Sequence, residues 1–150
     1  MDMKLDWDTY FLEMATLVAK KSKDPSTKVG AVIVGPEHEV RSTGYNGFPR
    51  GIDEYPPSRW ERPEKYQWCE HAERNAIYNA AMMGTPLKGC TAYVQCTPCA
   101  PCGRALIQAG ITEVVISKEN PFSDRSDWKD DIDFSLEMLK EAGVSIKWVL

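Results

Sequence analysis

The sequence predicts an α/β protein: a three-layer α/β/α sandwich built on a five-stranded mixed sheet. Short runs rich in β-branched residues, such as 29–34 and 113–117, alternate with helix-length segments, the order that produces βαβ crossovers and parallel pairing. The first two runs stand close together across Gly35-Pro36-Glu37, which instead makes an antiparallel hairpin. At 150 residues, with 43% hydrophobic and 27% charged side chains, the chain is long enough to close one core. With no repeat or low-complexity segment, residues 1–150 read as a single domain.

Each element has its own signal. Trp7, Phe11, Met14, Ala15 and Val18 recur at helical spacing behind Asp6, a suitable N-cap, and predict a helix over 7–22. Asp24-Pro25-Ser26 breaks it. Strands follow over 29–34 and 40–45. From 47 to 67 the chain is irregular, punctuated by Pro49, Gly51, Pro56, Pro57 and Pro63, and a loop of that length is usually functional. Its aromatic and basic residues suit a lid, a subunit contact, or a peripheral loop that packs its own rings. Residues 71–83 are Ala-rich and end at Gly84, a helix with a glycine C-cap. A strand over 91–95, a helix over 100–109 stopped by Gly110, and a strand over 113–117 come next. A polar loop over 118–129 leads to a helix through Phe134, Leu136, Leu139 and Ala142, and residues 144–149 form the last strand.

Charge narrows the partners. Eighteen Lys and Arg against 22 Asp and Glu leave a net charge of −4, with the basic residues scattered. Affinity for a nucleic-acid polymer rests on phosphate neutralisation, so this balance argues against one while allowing a local contact to a single phosphate. No run approaches the roughly 20 apolar residues of a membrane span. Asp2, Lys4 and Asp6 crowd the N-terminus where a signal peptide needs an apolar stretch, and the expected location is the cytoplasm.

The cysteines carry the chemistry. There are five, Cys69, Cys90, Cys96, Cys99 and Cys102, and such clustering in a cytoplasmic chain points to metal or catalysis before disulfides. In Pro98-Cys99-Ala100-Pro101-Cys102, two thiols three residues apart at a helix start face one side. The helix dipole there favours the thiolates that bind metal. His71 opens another helix and supplies an imidazole. Three protein ligands to Zn²⁺ with the fourth position left for water mark a catalytic rather than a structural site. Glu73, two residues past the histidine, lies off its helical face and is expected to move protons at that water instead of ligating zinc. A redox Cys-x-x-Cys or a structural zinc ribbon would account for the cysteine pair alone. The ribbon needs a second ligand pair, and Cys90 with Cys96 would supply it only at poor spacing.

His71-Ala72-Glu73 together with Pro98-Cys99-Ala100-Pro101-Cys102 resembles the signature of zinc nucleobase deaminases. Over about 22–147 the chain is similar to deoxycytidylate (dCMP) deaminases of the cytidine deaminase-like superfamily. Further support comes from Lys23-Asp24-Pro25-Ser26 before 29–34, from Gly44-Tyr45-Asn46-Gly47 with Pro49, and from 107–111 before Val114 and Val115. The resemblance implies hydrolysis of dCMP to dUMP and ammonia, one catalytic Zn²⁺ per chain, and usually a homohexamer. In many members it also implies activation by dCTP and inhibition by dTTP, a dNTP effector that brings Mg²⁺. It matches His71, Cys99 and Cys102 to the zinc ligands, Glu73 to the proton shuttle, and Asn46 to an asparagine that holds the sugar. Asn46 also reads as a simple turn residue beside Gly47. Ala72 is small where the base must approach, and its N–H is placed for the pyrimidine carbonyl. For the 5′-phosphate, Ser26, Lys28, Arg50 and Arg125 are the candidates, with Arg59 and Arg74 behind them; Phe122 and Arg125 would shape the pocket.

Two departures stand out. Glu70 occupies the place before the histidine where many relatives have cysteine, and His38 is the one spare histidine for any second, structural zinc. Rival readings are a tRNA adenosine or other polynucleotide deaminase, a free cytidine or deoxycytidine deaminase, and a binding module with structural zinc only. The acidic balance and the long insert oppose the first, basic phosphate contacts would oppose the second, and Glu73 opposes the third.

Overall fold

The computed structural model describes residues 4–118 and 129–150. Arg125 and Phe122, and most of the predicted polar loop, lie outside these residues. The sheet has five strands in the order β2-β1-β3-β4-β5: β1 is Gly30–Val34, β2 Val40–Tyr45, β3 Thr91–Val94, β4 Glu113–Ser117 and β5 Ser145–Val149. The hairpin strands β1 and β2 pair antiparallel, β1 also pairs antiparallel with β3, and β3-β4-β5 run parallel. This is the mixed sheet expected, with β1 as the strand that joins its two halves.

Helices cover both faces. Helix α1, Trp7–Ala19, buries Phe11, Leu12 and Ala15 against Val32, Val34, Tyr93 and Val115. The Asp6 carboxylate accepts the Thr9 N–H at 2.9 Å, the cap that its position predicts. The helix ends three residues before the predicted limit, and 20–22 close it with turn hydrogen bonds back to 17–19. On the other face α3, Ala72–Met83, α4, Ala100–Gln108, and α5, Lys129–Glu141, bury Ala72, Ala76, Leu106 and Leu139 over Ile33, Ala92, Val94 and Ile116.

Two glycines set how closely these layers meet. A Cβ on Gly30 would lie 2.0 Å from the Ala15 carbonyl oxygen of α1, and one on Gly44 would lie 2.3 Å from the Ala76 nitrogen of α3. Only glycine permits backbone approach this tight. Gly44 therefore seats the start of α3, and with it 71–73, directly on β2.

The insert after β2 is ordered by its own contacts. Its ends are joined by a bridge in which Gly47 and Glu70 exchange both backbone hydrogen bonds, at 3.1 and 2.8 Å. Between them lie a 3-10 turn, Pro57–Trp60, and a short helix α2, Lys65–Trp68, within a stretch that sequence pattern leaves irregular. Phe48 stacks on Trp60 at 4.1 Å between ring centres, and the Arg59 guanidinium lies 4.1 Å from the centre of the Trp68 ring. The loop packs its own aromatics. Among the described residues no helix is long and apolar enough to cross a membrane.

Candidate active site

Both chemical motifs sit where extended chain turns into helix. His71 is the N-cap of α3 and Cys99 the N-cap of α4, each with β-region backbone angles. Helix starts present N–H groups without intrahelical acceptors and the positive end of the dipole, a setting that favours anions. The fold brings the two starts together. His71 Nδ1 lies 3.3 Å from Cys99 Sγ and 3.5 Å from Cys102 Sγ, across 28 and 31 residues of chain.

These distances can be tested against zinc. Tetrahedral geometry with Zn–S at about 2.3 Å and Zn–N at about 2.0 Å puts a sulfur and a nitrogen about 3.5 Å apart. The His71 and cysteine atoms fit, and their three donor atoms all fall within 4.8 Å of one another. Glu73 is not part of that cluster. It is buried at 3% exposure, and its Oε2 accepts from Cys102 Sγ at 3.3 Å, so the carboxylate stands beside the donor set.

Local electrostatics follow from this crowding. The hydrogen bond from Cys102 holds the Cys99 thiol down to about 4, against burial and with help from His71. The Cys102 thiol is pushed up, as donor to Cys99 and as a buried group beside Glu73. The Cys99 thiolate raises His71, and burial raises Glu73 against the opposing pull of His71.

Around the donors, Glu70 Oε1 accepts the His71 N–H at 3.1 Å and pairs with Arg74 at 2.5 Å. Arg74 is thus engaged by a carboxylate, and Arg59 donates to the Asp53 carbonyl at 2.8 Å. Ala72 is 1% exposed, its methyl in the core and its N–H the first of α3. Arg50 is exposed and bonds the Asn79 side chain. It lines a cleft of about 300 Å³ with Tyr45, Phe48, Glu70 and Asn75.

Asn46, which the resemblance matches to an asparagine that holds the sugar, is bonded within the chain. Its Nδ2 donates to Asp24 Oδ2 at 3.1 Å and to the Thr27 carbonyl at 2.8 Å, while Oδ1 accepts the Val29 N–H at 2.8 Å. Both amide protons are engaged within the chain, and only a second lone pair on Oδ1 remains for a ligand. Ser26 and Lys28 adjoin the same network: Lys28 Nζ donates to the Ser22 carbonyl at 2.8 Å, and the Ser26 hydroxyl donates to Asp24 at 3.0 Å. Sequence reasoning missed the hub of this network. Asp24 is fully buried and pairs with buried Lys65 of α2 at 2.6 Å, and Lys65 Nζ also donates to Ser26 Oγ at 3.1 Å. A carboxylate next to proline signals a turn, but nothing in the local pattern of 61–68 marks Lys65 as buried.

Three protein donors of this kind would hold zinc and leave it a position for a reactant, the donor set of catalytic zinc sites, here carried on an α/β/α fold. Residues 5–118 match the family model of the cytidine and deoxycytidylate deaminase zinc-binding region, and the chain belongs to that family. It is 39% identical over 153 residues to the deoxycytidylate deaminase of Homo sapiens, covering 97% of this chain and 81% of the human one. It is likewise 39% identical over 144 residues to an uncharacterized deaminase of Aliivibrio fischeri, covering 95% and 93%. The fold matches the crystal structure of the dCMP deaminase of cyanophage S-TIM5 in complex with dCMP and dUMP. That match has a TM-score of 0.76 and 23% identity, and covers 99% of this chain and all of the phage protein.

Proposed function

We propose that this chain hydrolyses dCMP to dUMP and ammonia, with His71, Cys99 and Cys102 as zinc ligands and Glu73 as the proton shuttle. The observation that carries the reading is the buried Glu73 carboxylate beside a His-Cys-Cys set of zinc dimensions. It is joined by 39% identity to a deoxycytidylate deaminase along almost the whole chain. Zinc held there supplies a water with a pKa near about 7 and so a nucleophile for C4 of the pyrimidine. Glu73 Oε2, buried beside the donor set, is the group that would hold and move protons there, between the attacking water, the ring N3 and the departing amine. The first N–H of α3, at Ala72, is placed to donate to the pyrimidine carbonyl. The rim of Ser26, Lys28 and Asn46 faces the sugar and phosphate, with Arg50 and Arg125 as further phosphate contacts.

The same reading makes residues 1–150 one catalytic domain with one zinc per chain, working in the cytoplasm as a homo-oligomer, a hexamer by resemblance. Exposed Tyr45, Tyr78, Met82 and Met83 on β2 and α3 supply apolar surface for subunit contact. dCTP and dTTP, with Mg²⁺, are the proposed effectors. The test is ammonia release from dCMP, CMP, deoxycytidine and tRNA. Catalytic efficiency on dCMP should far exceed that on deoxycytidine; equal rates would overturn phosphate recognition, and activity on tRNA alone would favour a polynucleotide deaminase.

A further inference from the structure

The helix that carries both cysteines is held from outside the donor set. Cys99, its N-cap, makes no side-chain capping bond, and Pro101 has no N–H to offer. The Ala100 N–H, lying between the two cysteines in sequence, donates instead to Asp131 Oδ2 of α5 at 2.8 Å. One turn further along α5, Ser135 is fully buried against Gly103, where a Cβ would come within 2.5 Å of the serine hydroxyl oxygen. Asp131 and Ser135 stand four residues apart, so one face of α5 grips the first turn of α4 at two successive points. Gly103 permits the approach and Asp131 supplies the capping acceptor that Cys99 does not.

We propose that Asp131 is a positioning residue for zinc, one that fixes the Cys99–Ala100 backbone so that both thiolates are placed before the metal arrives. The inference rests on the zinc site assigned above. Asp131 touches neither the donor atoms nor Glu73 in any observed hydrogen bond; its action runs through the Ala100 N–H. Groups that orient metal ligands in this way typically change metal affinity by roughly 10- to 100-fold when removed.

The experiment measures zinc affinity of the full chain by competition with a chromophoric chelator, for the unaltered protein, Asp131→Ala, Asp131→Asn and Asp130→Ala. Asp131→Ala should weaken zinc binding by about tenfold or more. Asp131→Asn, which keeps an acceptor oxygen, should recover most of that loss, and Asp130→Ala, at the exposed neighbour, should match the unaltered protein. Leu139→Ala, which removes a buried side chain from the same helix, should lower Tm without lowering zinc affinity. Zinc held equally by Asp131→Ala and the unaltered protein, even with a lower Tm, would overturn the inference, as would Asn behaving like Ala. An unaltered protein that takes up no zinc would overturn the zinc site itself and this inference with it.

Discussion

Glu73 is a carboxylate kept where a carboxylate is costly. Burial disfavours its charge, and the main compensation among protein groups is His71, with Cys102 as hydrogen-bond donor. A residue retained at such a site for stability would have many partners; this one has few, which points to chemistry. Glu73→Gln keeps the volume and removes the carboxylate proposed to shuttle protons. Deamination should fall by at least about 10²-fold, the usual scale of a lost general acid–base. Zinc measured by atomic absorption should stay at one ion per chain, and Tm should hold or rise because a buried charge is gone. Loss of zinc in this variant would instead make Glu73 a ligand.

At the scale of elements, the insert is fastened to the segment before β1 by one buried ion pair among the described residues. Lys65 of α2 and Asp24 before β1 are 41 residues apart, and both lie out of water. Breaking such a pair leaves a buried unpaired charge, so Lys65→Met should destabilise the protein by about 3–5 kcal/mol in urea denaturation. Burial pushes the Asp24 carboxyl up, but the hydrogen bonds of Lys65, Ser26 and Thr27 outweigh it and bring it below its ordinary 3.8. The stability it contributes is therefore complete above pH 3.8 and lost as pH falls below it, so Asp24→Asn should flatten the acid limb of the stability curve. An unchanged acid limb would remove Asp24 from that role. This pair also shows where sequence reading stops. Gly30–Val34 and Ala100–Gln108 were legible because period and caps are local. That His71, Cys99 and Cys102 come together was legible because metal chemistry constrains residue type and spacing. Lys65 sits in an insert without periodicity, and its partners Asp24 and Ser26 lie about 40 residues away, meeting it only in the fold. The internal bonds that occupy the Asn46 amide were not legible, since its partners Asp24, Thr27 and Val29 converge only in the fold.

For the whole molecule, the donor set brings together two helix starts that the chain reaches from opposite halves of the sheet. His71 belongs to the helix seated on β2 through Gly44, and the cysteines to the helix that leads from β3 to β4 and rests on α5. A metal bound at all three ties the antiparallel half of the sheet to the parallel half, and binds the native state without a preformed counterpart in the unfolded chain. Mass action then makes the metal a stabiliser: free zinc at 1,000 times its Kd is worth about 4 kcal/mol. For a domain of this size that corresponds to a Tm lower by about 8–16 °C when a strong chelator strips the metal. His71→Ala protein, lacking one of the three donors, should melt low and respond little to the chelator. Calorimetry of both proteins with and without chelator checks this, and re-addition of zinc should restore Tm only where His71 is present. A chelator that left Tm unchanged would mean that the native chain holds no metal tightly across these two helix starts, since linkage allows no tight native-state ligand without a matching gain in stability.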